Sequence, residues 1–240
     1  MPALRLGLTV SLASIPPRQQ ELRSVVGSLL PQTDKVNVYL DGYKTVPRFL
    51  RHPKVEVVTS AEEPGLGDSG KFLWDITGRV SPGVSLHCDD DILYPKDYVR
   101  TMVRRLLQFH RACVGVHGSI LKDGVTNYRR DRVTAHFLET TGDMWCHVLG
   151  TGVLAHRVGV PALYRGDFPV ANMADVWFAL AAQRQEVPML LIRHESTWLQ
   201  LLVDASRDSI WNRGQKLGCH AETRAVQSHT AWRIHKSEPV

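Results

Sequence analysis

The chain has 240 residues, of which 43% are hydrophobic and 22% charged. That is the composition of an ordinary soluble globular protein long enough to bury one sizeable core. No stretch approaches the roughly 18 consecutive apolar residues of a membrane span, and the opening MPALRLGLTVSLASIPPR lacks a signal-peptide cleavage pattern, so a cytosolic protein is expected. The formal net charge of +5 suits an anionic partner such as a nucleotide diphosphate, a polyanionic glycan, an anionic membrane surface or nucleic acid. The basic clusters, Arg104-Arg105 and Arg129-Arg130 with Arg132, are short and read better as solvated faces than as a nucleic-acid patch. Four scattered cysteines (Cys88, Cys113, Cys146, Cys219) form no CxxC pair and are expected to be buried free thiols.

In chain order, Leu4 to Leu12 is an aliphatic, strand-like run stopped by Ser14-Ile15-Pro16-Pro17. Gln19 to Leu30 then places Leu22, Val25, Val26, Leu29 and Leu30 on one helical face. Val36 to Leu40 is a second strand ending at Asp41-Gly42, and Val55 to Thr59 is a third, running into the glycine-rich stretch Pro64 to Lys71. Val84 to Cys88 is a fourth, followed at once by Asp89-Asp90-Asp91. The spacing of Tyr98, Val99, Met102, Val103, Leu106 and Leu107 predicts an amphipathic helix before a strand at Cys113 to His117.

From Lys122 to about Asp143 the pattern weakens, as expected of loops or short antiparallel strands. His147 to His156 is strand-like around a Gly-Thr-Gly turn, Ala174 to Gln183 is helical, and Val187 to Ile192 is a last apolar strand. The tail beyond Ser206, with Trp211 and Trp232, shows little regular pattern and is read as a lid or an irregular segment. This alternation predicts an α/β sheet with crossover helices. In open sheets of that kind the ligand crevice lies at the carboxyl ends of the strands, where Asp41, the glycine-rich stretch and the aspartates would converge.

Three adjacent carboxylates after a buried strand repel one another and call for a compensating cation. In extended backbone Asp89 and Asp91 would project to the same side and share it. Hard oxygen ligands suit Mg2+ or Mn2+. The plain alternative is a surface turn or a helix N-cap.

The order SLASIPPR (Ser11 to Arg18), SLLPQ (Ser28 to Gln32), GDSGK (Gly67 to Lys71), DDDILYP (Asp89 to Pro95), VGVHG (Val114 to Gly118), LGTG (Leu149 to Gly152) and ADVW (Ala174 to Trp177) resembles bacterial glycosyltransferases of the GT-A fold, close to the family-two group. The resemblance covers about Leu6 to Ile192. It implies a Rossmann-like nucleotide-sugar-binding sheet flanked by helices, with an irregular acceptor-side region. One domain over residues 1–240 is expected: a nucleotide-binding half to about 118, an acceptor-side half to about 205, and a tail or lid.

The resemblance further implies donor contacts from Ser14, Ile15, Arg18, Asp41, Lys71, Asp89 and Asp90, with a divalent metal, Mn2+ or Mg2+, on Asp91 and Asp89. His194 would be a third ligand, although a satisfied core or surface histidine is the commoner role. His117, His147, His220, His229 and His235 have weaker claims. Asp175 would be the general base, against the alternative of a helix N-terminal carboxylate. Related sequences usually carry two acids there, where this chain has Ala174-Asp175.

The implied reaction moves a sugar from a nucleotide-diphosphate donor, UDP by default, to a hydroxyl of a saccharide or lipid-linked glycan, with inversion. The acceptor is expected near Lys122 to Trp145 and the tail tryptophans, whereas Trp177 and Trp198 are expected in the core. Peripheral association with the inner face of a membrane is compatible with this reading. A sugar-nucleotide pyrophosphorylase is the alternative enzyme, although its GxGTR-like loop is replaced here by SLASIPPR. A silent carbohydrate-binding protein is the alternative from another class.

Overall fold

A computed structural model describes residues 6–109, 111–203 and 219–239. Its centre is an eight-stranded mixed sheet. Strands β1 (Gly7–Ser14), β2 (Lys35–Leu40), β3 (Val55–Thr59) and β4 (Gly83–Asp89) form a parallel half in the order β3-β2-β1-β4. Beyond two small strands, β5 (Ile92–Leu93) and β7 (Gly118–Leu121), and the exposed β8 (Arg132–Ala135), the sheet continues through β11 (Val153–Arg157), β6 (Cys113–Gly115), β12 (Met189–Leu191) and β9 (Met144–Trp145). β11 is antiparallel to both β4 and β6, so the sheet changes direction beside the strand that carries the aspartates. Strand β10 (Val148–Leu149) joins β7 and β8 in a three-stranded antiparallel sheet, and β13 (Gln200–Leu201) pairs with β5.

Helix α1 (Gln19–Leu29) buries Leu22, Val25, Val26 and Leu29, and α3 (Tyr98–Leu107) buries Tyr98, Val99, Met102 and Leu106. Both pack with Val10, Leu12, Val36, Val38 and Leu86 into one apolar layer. The short α2 (Leu73–Ile76) and α4 (Ala174–Arg184) take part in clusters on other elements; α4 packs with Phe72, Leu154 and Leu191. The four cysteines are free and buried. Trp177 and Trp198 are half-buried against the two large clusters. No helix among the described residues is long and apolar enough to cross a membrane.

Several expectations need correction. The glycine-rich stretch, left unassigned by its pattern, winds over Gly67–Phe72 as a 3-10 helix into α2. Expected strand Cys113 to His117 ends at Gly115, and the chain resumes as β7 in a different sheet. The tail contains α5 (His220–Gln227), which buries Thr223, Ala225 and Val226. Threonine and alanine carry little hydrophobic signal, so the helical period is faint in the sequence. This helix is docked: Thr223 Oγ1 accepts the Tyr128 N–H at 3.0 Å, and Gln227 donates to the Val125 carbonyl at 2.9 Å. Further on, Gln183 on α4 clamps the Arg233 backbone through both its amide atoms. Trp211 lies outside the described residues; Trp232 packs against the α4 cluster.

Gly70 shows how closely the GDSGK segment approaches the sheet. A β-carbon there would lie 2.0 Å from the Tyr39 ring, which is fully buried and donates its hydroxyl to the Glu63 carbonyl at 2.7 Å. The ring has no room to yield. Gly70→Ala is therefore expected to cost about 1–3 kcal/mol by overpacking, read as a lower urea midpoint at unchanged slope. An unaltered midpoint would show that the segment can lift off β2.

Candidate active site

The carboxyl ends of β1, β2 and β4, the GDSGK helix and the start of α4 enclose a cleft of about 410 Å3, within the size range of small-molecule sites. Ser14, Ile15, Arg18, Asp41, Lys71, Asp89, Asp90, Asp91 and Asp175 all line it. His194 does not: it is buried, with Nδ1 2.9 Å from the Ile192 carbonyl and 3.1 Å from Thr141 Oγ1. The sequence assigns no site role to Asp68, Thr151, Asn172, Cys219 or Glu222, which are also on the wall; it places Tyr128 and Arg132 only within the broad acceptor-side region and gives His117 a weak claim. Among these described residues seven carboxylates face three cations, in a chain whose net charge is positive.

The aspartate run turns a corner. Asp89 is the last residue of β4, and Asp90 and Asp91 form a turn into β5, so strand alternation does not govern where their side chains go. Nor does the run cap a helix: α3 begins at Tyr98, with Asp97 at its N-cap position. Asp89 pairs with Lys71, and Asp91 takes a 2.5 Å bond from the Arg18 guanidinium. Burial pushes the Asp90 carboxyl up to about 7, opposed by a hydrogen bond from Ser14 and reinforced by the charge of Asp91. Burial and the neighbouring Asp89 also raise Asp91, against the pull of Arg18. Lys71, only 3% exposed, is held protonated: burial opposes its charge, but Asp89 and Asp68 outweigh it.

The LGTG turn has a physical reason for each of its last three residues. A β-carbon on Gly150 would meet the His117 ring at 2.7 Å, and one on Gly152 would meet the Asp89 carboxylate at 2.0 Å. Between them, Thr151 donates its backbone N–H and its hydroxyl to Asp175 Oδ1, at 2.7 and 2.6 Å. Asp175 is thus not a helix cap. One of its oxygens is fixed from outside the helix, and Oδ2 has no hydrogen bond among the described residues. His117, beside this turn, is held neutral by burial, which lowers its imidazole to about 3.

Helix α4 is instead met at its N-terminus by Asp68, whose Oδ2 accepts the Ala174 N–H at 3.2 Å. Asn172 Oδ1 accepts the Asp68 N–H at 3.3 Å, and it sits where a β-carbon on Gly67 would fall, at 2.6 Å. Burial pushes the Asp68 carboxyl up to about 6; Lys71 pulls it down and the charge of Asp175 pushes it up. The GDSGK segment therefore brings both a cation to Asp89 and a second carboxylate near Asp175. Its glycines mark it in the sequence; Asn172 and Ala174, which tie Asp68 to the start of α4, lie more than a hundred residues away.

Comparison with known proteins reveals the fold alone. No family model matches the chain, and no curated protein matches its sequence. Among solved structures, GalNAc-T7 with UDP, GalNAc and Mn2+ superposes with a TM-score of 0.57 at 10% identity, over 78% of this chain and 42% of that one. A 4-diphosphocytidyl-2C-methyl-D-erythritol synthase superposes with a TM-score of 0.50 at 12% identity, over 94% of this chain and 100% of that one. The chain has a GT-A, Rossmann-like fold. It spans less than half the length of the GalNAc-T7 structure.

The raised carboxyls carry a sign for stability. A carboxyl group whose folded value lies above its unfolded one stabilises the fold below the unfolded value, and that contribution is lost as pH rises through the folded value. For Asp90 the window runs from its ordinary 3.8 to about 7. In metal-free buffer Asp90→Asn should therefore melt above the parent at about pH 8, with the gap closing toward about pH 5. A gap independent of pH in paired thermal melts would remove burial as the cause.

Proposed function

We propose that the chain is a metal-dependent glycosyltransferase that takes a sugar from a nucleotide-diphosphate donor, UDP-sugar by default, to a hydroxyl of a saccharide or lipid-linked glycan. The observation that carries this reading is the joint presence, in one cleft, of an aspartate run paired with Lys71 and Arg18 and a carboxylate held by one oxygen. The superposition on a structure containing UDP, GalNAc and Mn2+ supports it at the level of the fold. Donor contacts are assigned to Ser14, Ile15, Arg18, Asp41, Lys71 and Asp90.

Asp91 and Asp89 are the oxygen donors assigned to Mn2+ or Mg2+, and the excess of carboxylates on the wall fits a hard cation. Bound there, the ion would supply positive charge to the diphosphate. His194 leaves the ligand set, because it does not line the cleft that holds Asp89 and Asp91.

Lys71 brings a fixed positive charge beside Asp89, where a departing diphosphate gains charge. Arg18, on the first loop, does the same beside Asp91. Asp175 is the assigned general base. As the acceptor oxygen bonds to the anomeric carbon, Asp175 Oδ2 takes the hydroxyl proton. The bond from that carbon to the phosphate oxygen breaks, with its electron pair leaving on the nucleoside diphosphate. One displacement inverts the anomeric centre. Thr151 serves as a positioning residue, because its two bonds to Oδ1 leave Oδ2 for the proton.

A second reading, nucleotidyl transfer of the pyrophosphorylase type, is favoured by one observation: the synthase superposes over its whole length. The released product separates the two. Glycosyl transfer frees a nucleoside diphosphate, and nucleotidyl transfer frees pyrophosphate.

A panel of nucleoside diphosphates with and without Mn2+ is expected to raise the melting temperature only where base and metal are both right. Asp91→Asn should abolish that shift. Asp175→Asn should preserve the shift but lower turnover by roughly 100-fold or more, the contribution typical of a general base. Transfer unaffected by Asp175→Asn would sink the base assignment. No thermal shift with any nucleotide would sink the reading as a whole.

A further inference from the structure

A second polar cluster lies inside the fold, and none of its members lines the cleft. His87 on β4 and His156 on β11 are fully buried, and the side chain of Asp75 on α2 is 4% exposed. Phe72 stacks on the His87 ring at 3.9 Å and Phe178 lies 5.7 Å from His156. Such residue types are rarely taken wholly out of water without partners. Among the described residues, this is the group whose ligand atoms converge tightly enough to surround one ion.

A hydrogen bond fixes which way the His156 ring presents itself. His156 Nδ1 lies 2.9 Å from the Arg157 carbonyl, and a carbonyl only accepts, so Nδ1 carries the proton and Nε2 offers its lone pair inward. His87 Nδ1 has no hydrogen-bond partner among the described residues, so nothing on that side of the ring fixes its tautomer. The two Nε2 atoms face each other at 3.0 Å. Two ring nitrogens at that distance need a proton or a cation between them. Asp75 Oδ1 lies 3.5 Å from His156 Nε2 and has no hydrogen-bond donor. One proton shared by the two rings would relieve the nitrogen contact but leave this buried oxygen bare, at a cost of about 1–3 kcal/mol.

The dimensions match a metal. Zinc–ligand bonds of 2.0–2.2 Å in a tetrahedron set the ligand atoms about 3.3–3.6 Å apart. His87 Nε2 lies 3.0 Å from His156 Nε2 and 3.7 Å from Asp75 Oδ2. Ser85, the cross-strand neighbour of His156, puts Oγ 3.4 Å from His87 Nε2 and 3.1 Å from Asp75 Oδ2, at a fourth corner. A histidine that donates its outer N–H to a backbone carbonyl is the usual outer support of a zinc ligand. We infer that Asp75, His87 and His156, closed by Ser85, bind one buried divalent ion of the zinc class, a structural site separate from the cleft. Imidazole with one carboxylate suits zinc better than magnesium or calcium. The ion would tie α2, and through it the GDSGK segment, to β4 and β11.

The test is elemental analysis of the full chain, purified without a polyhistidine tag from zinc-supplemented medium and dialysed. About one zinc per chain is expected. An Asp89→Asn/Asp91→Asn variant should keep it, and a His87→Gln/His156→Gln variant should lose it. Less than about a tenth of an equivalent in the parent, zinc lost with the cleft aspartates, or zinc kept without the histidines would each overturn the proposal. Should the histidine variant fail to fold, cobalt exchanged into the parent chain decides. Intense visible bands of a tetrahedral site are expected, and the pale spectrum of an octahedral one would refute the assignment.

Discussion

Like charge gathered at the end of one buried strand is the constraint around which this fold is arranged. Asp89, Asp90 and Asp91 leave β4 half-buried, and burial pushes Asp90 and Asp91 toward their neutral forms. Two cations answer from opposite sides. Lys71 arrives on the GDSGK helix and Arg18 on the loop after β1. Neither is free to be placed elsewhere, because removing one partner of a buried pair leaves the other charge uncompensated. The close packing of Gly70 on Tyr39 and of Gly152 on Asp89 follows from the need to seat these charges.

The sheet explains why such distant segments can meet. Its parallel half delivers Ser14, Asp41 and Asp89 to one edge, and the reversal at β11 brings the LGTG turn back against that edge. Thr151 and Gly152 are adjacent in sequence but serve different ends, one fixing Asp175 and the other making room for Asp89. The aspartate run and the Asp175 carboxylate are thus coupled through a single turn. Helix α5 adds Glu222, and the residue before it adds Cys219, to the same wall, so the described part of the tail belongs to the cleft.

Much of this was legible in the sequence wherever one short segment carried its own signal. The boundaries of β3 and α3 agree with apolar spacing alone, and those of α1, β2 and α4 differ by about a residue at one end. Short strands such as β7 and β9 were hidden, because two to four residues cannot display a period. The cleft wall could be listed in part from the strand ends. Pairing could not: Asp89 with Lys71 and Asp91 with Arg18 depend on a turn that departs from strand alternation. Asp75, His87 and His156 are individually ordinary in sequence, and only the register of β4 against β11, with α2 seated on Ser85, makes them neighbours.

Ala174 stands where the sequences that this chain resembles carry a second acid. The residue is fully buried, and its backbone N–H is spent on Asp68. A carboxylate side chain at 174 would be forced into that desolvated space beside Asp68 and Asp175, where Asp68 is already pushed up to about 6. A third like charge there would have no cation of its own, since Lys71 is committed to Asp89. The second carboxylate near Asp175 is present, but GDSGK supplies it rather than the helix. What a cleft needs is charge at a place, and the chain can bring it there from more than one segment.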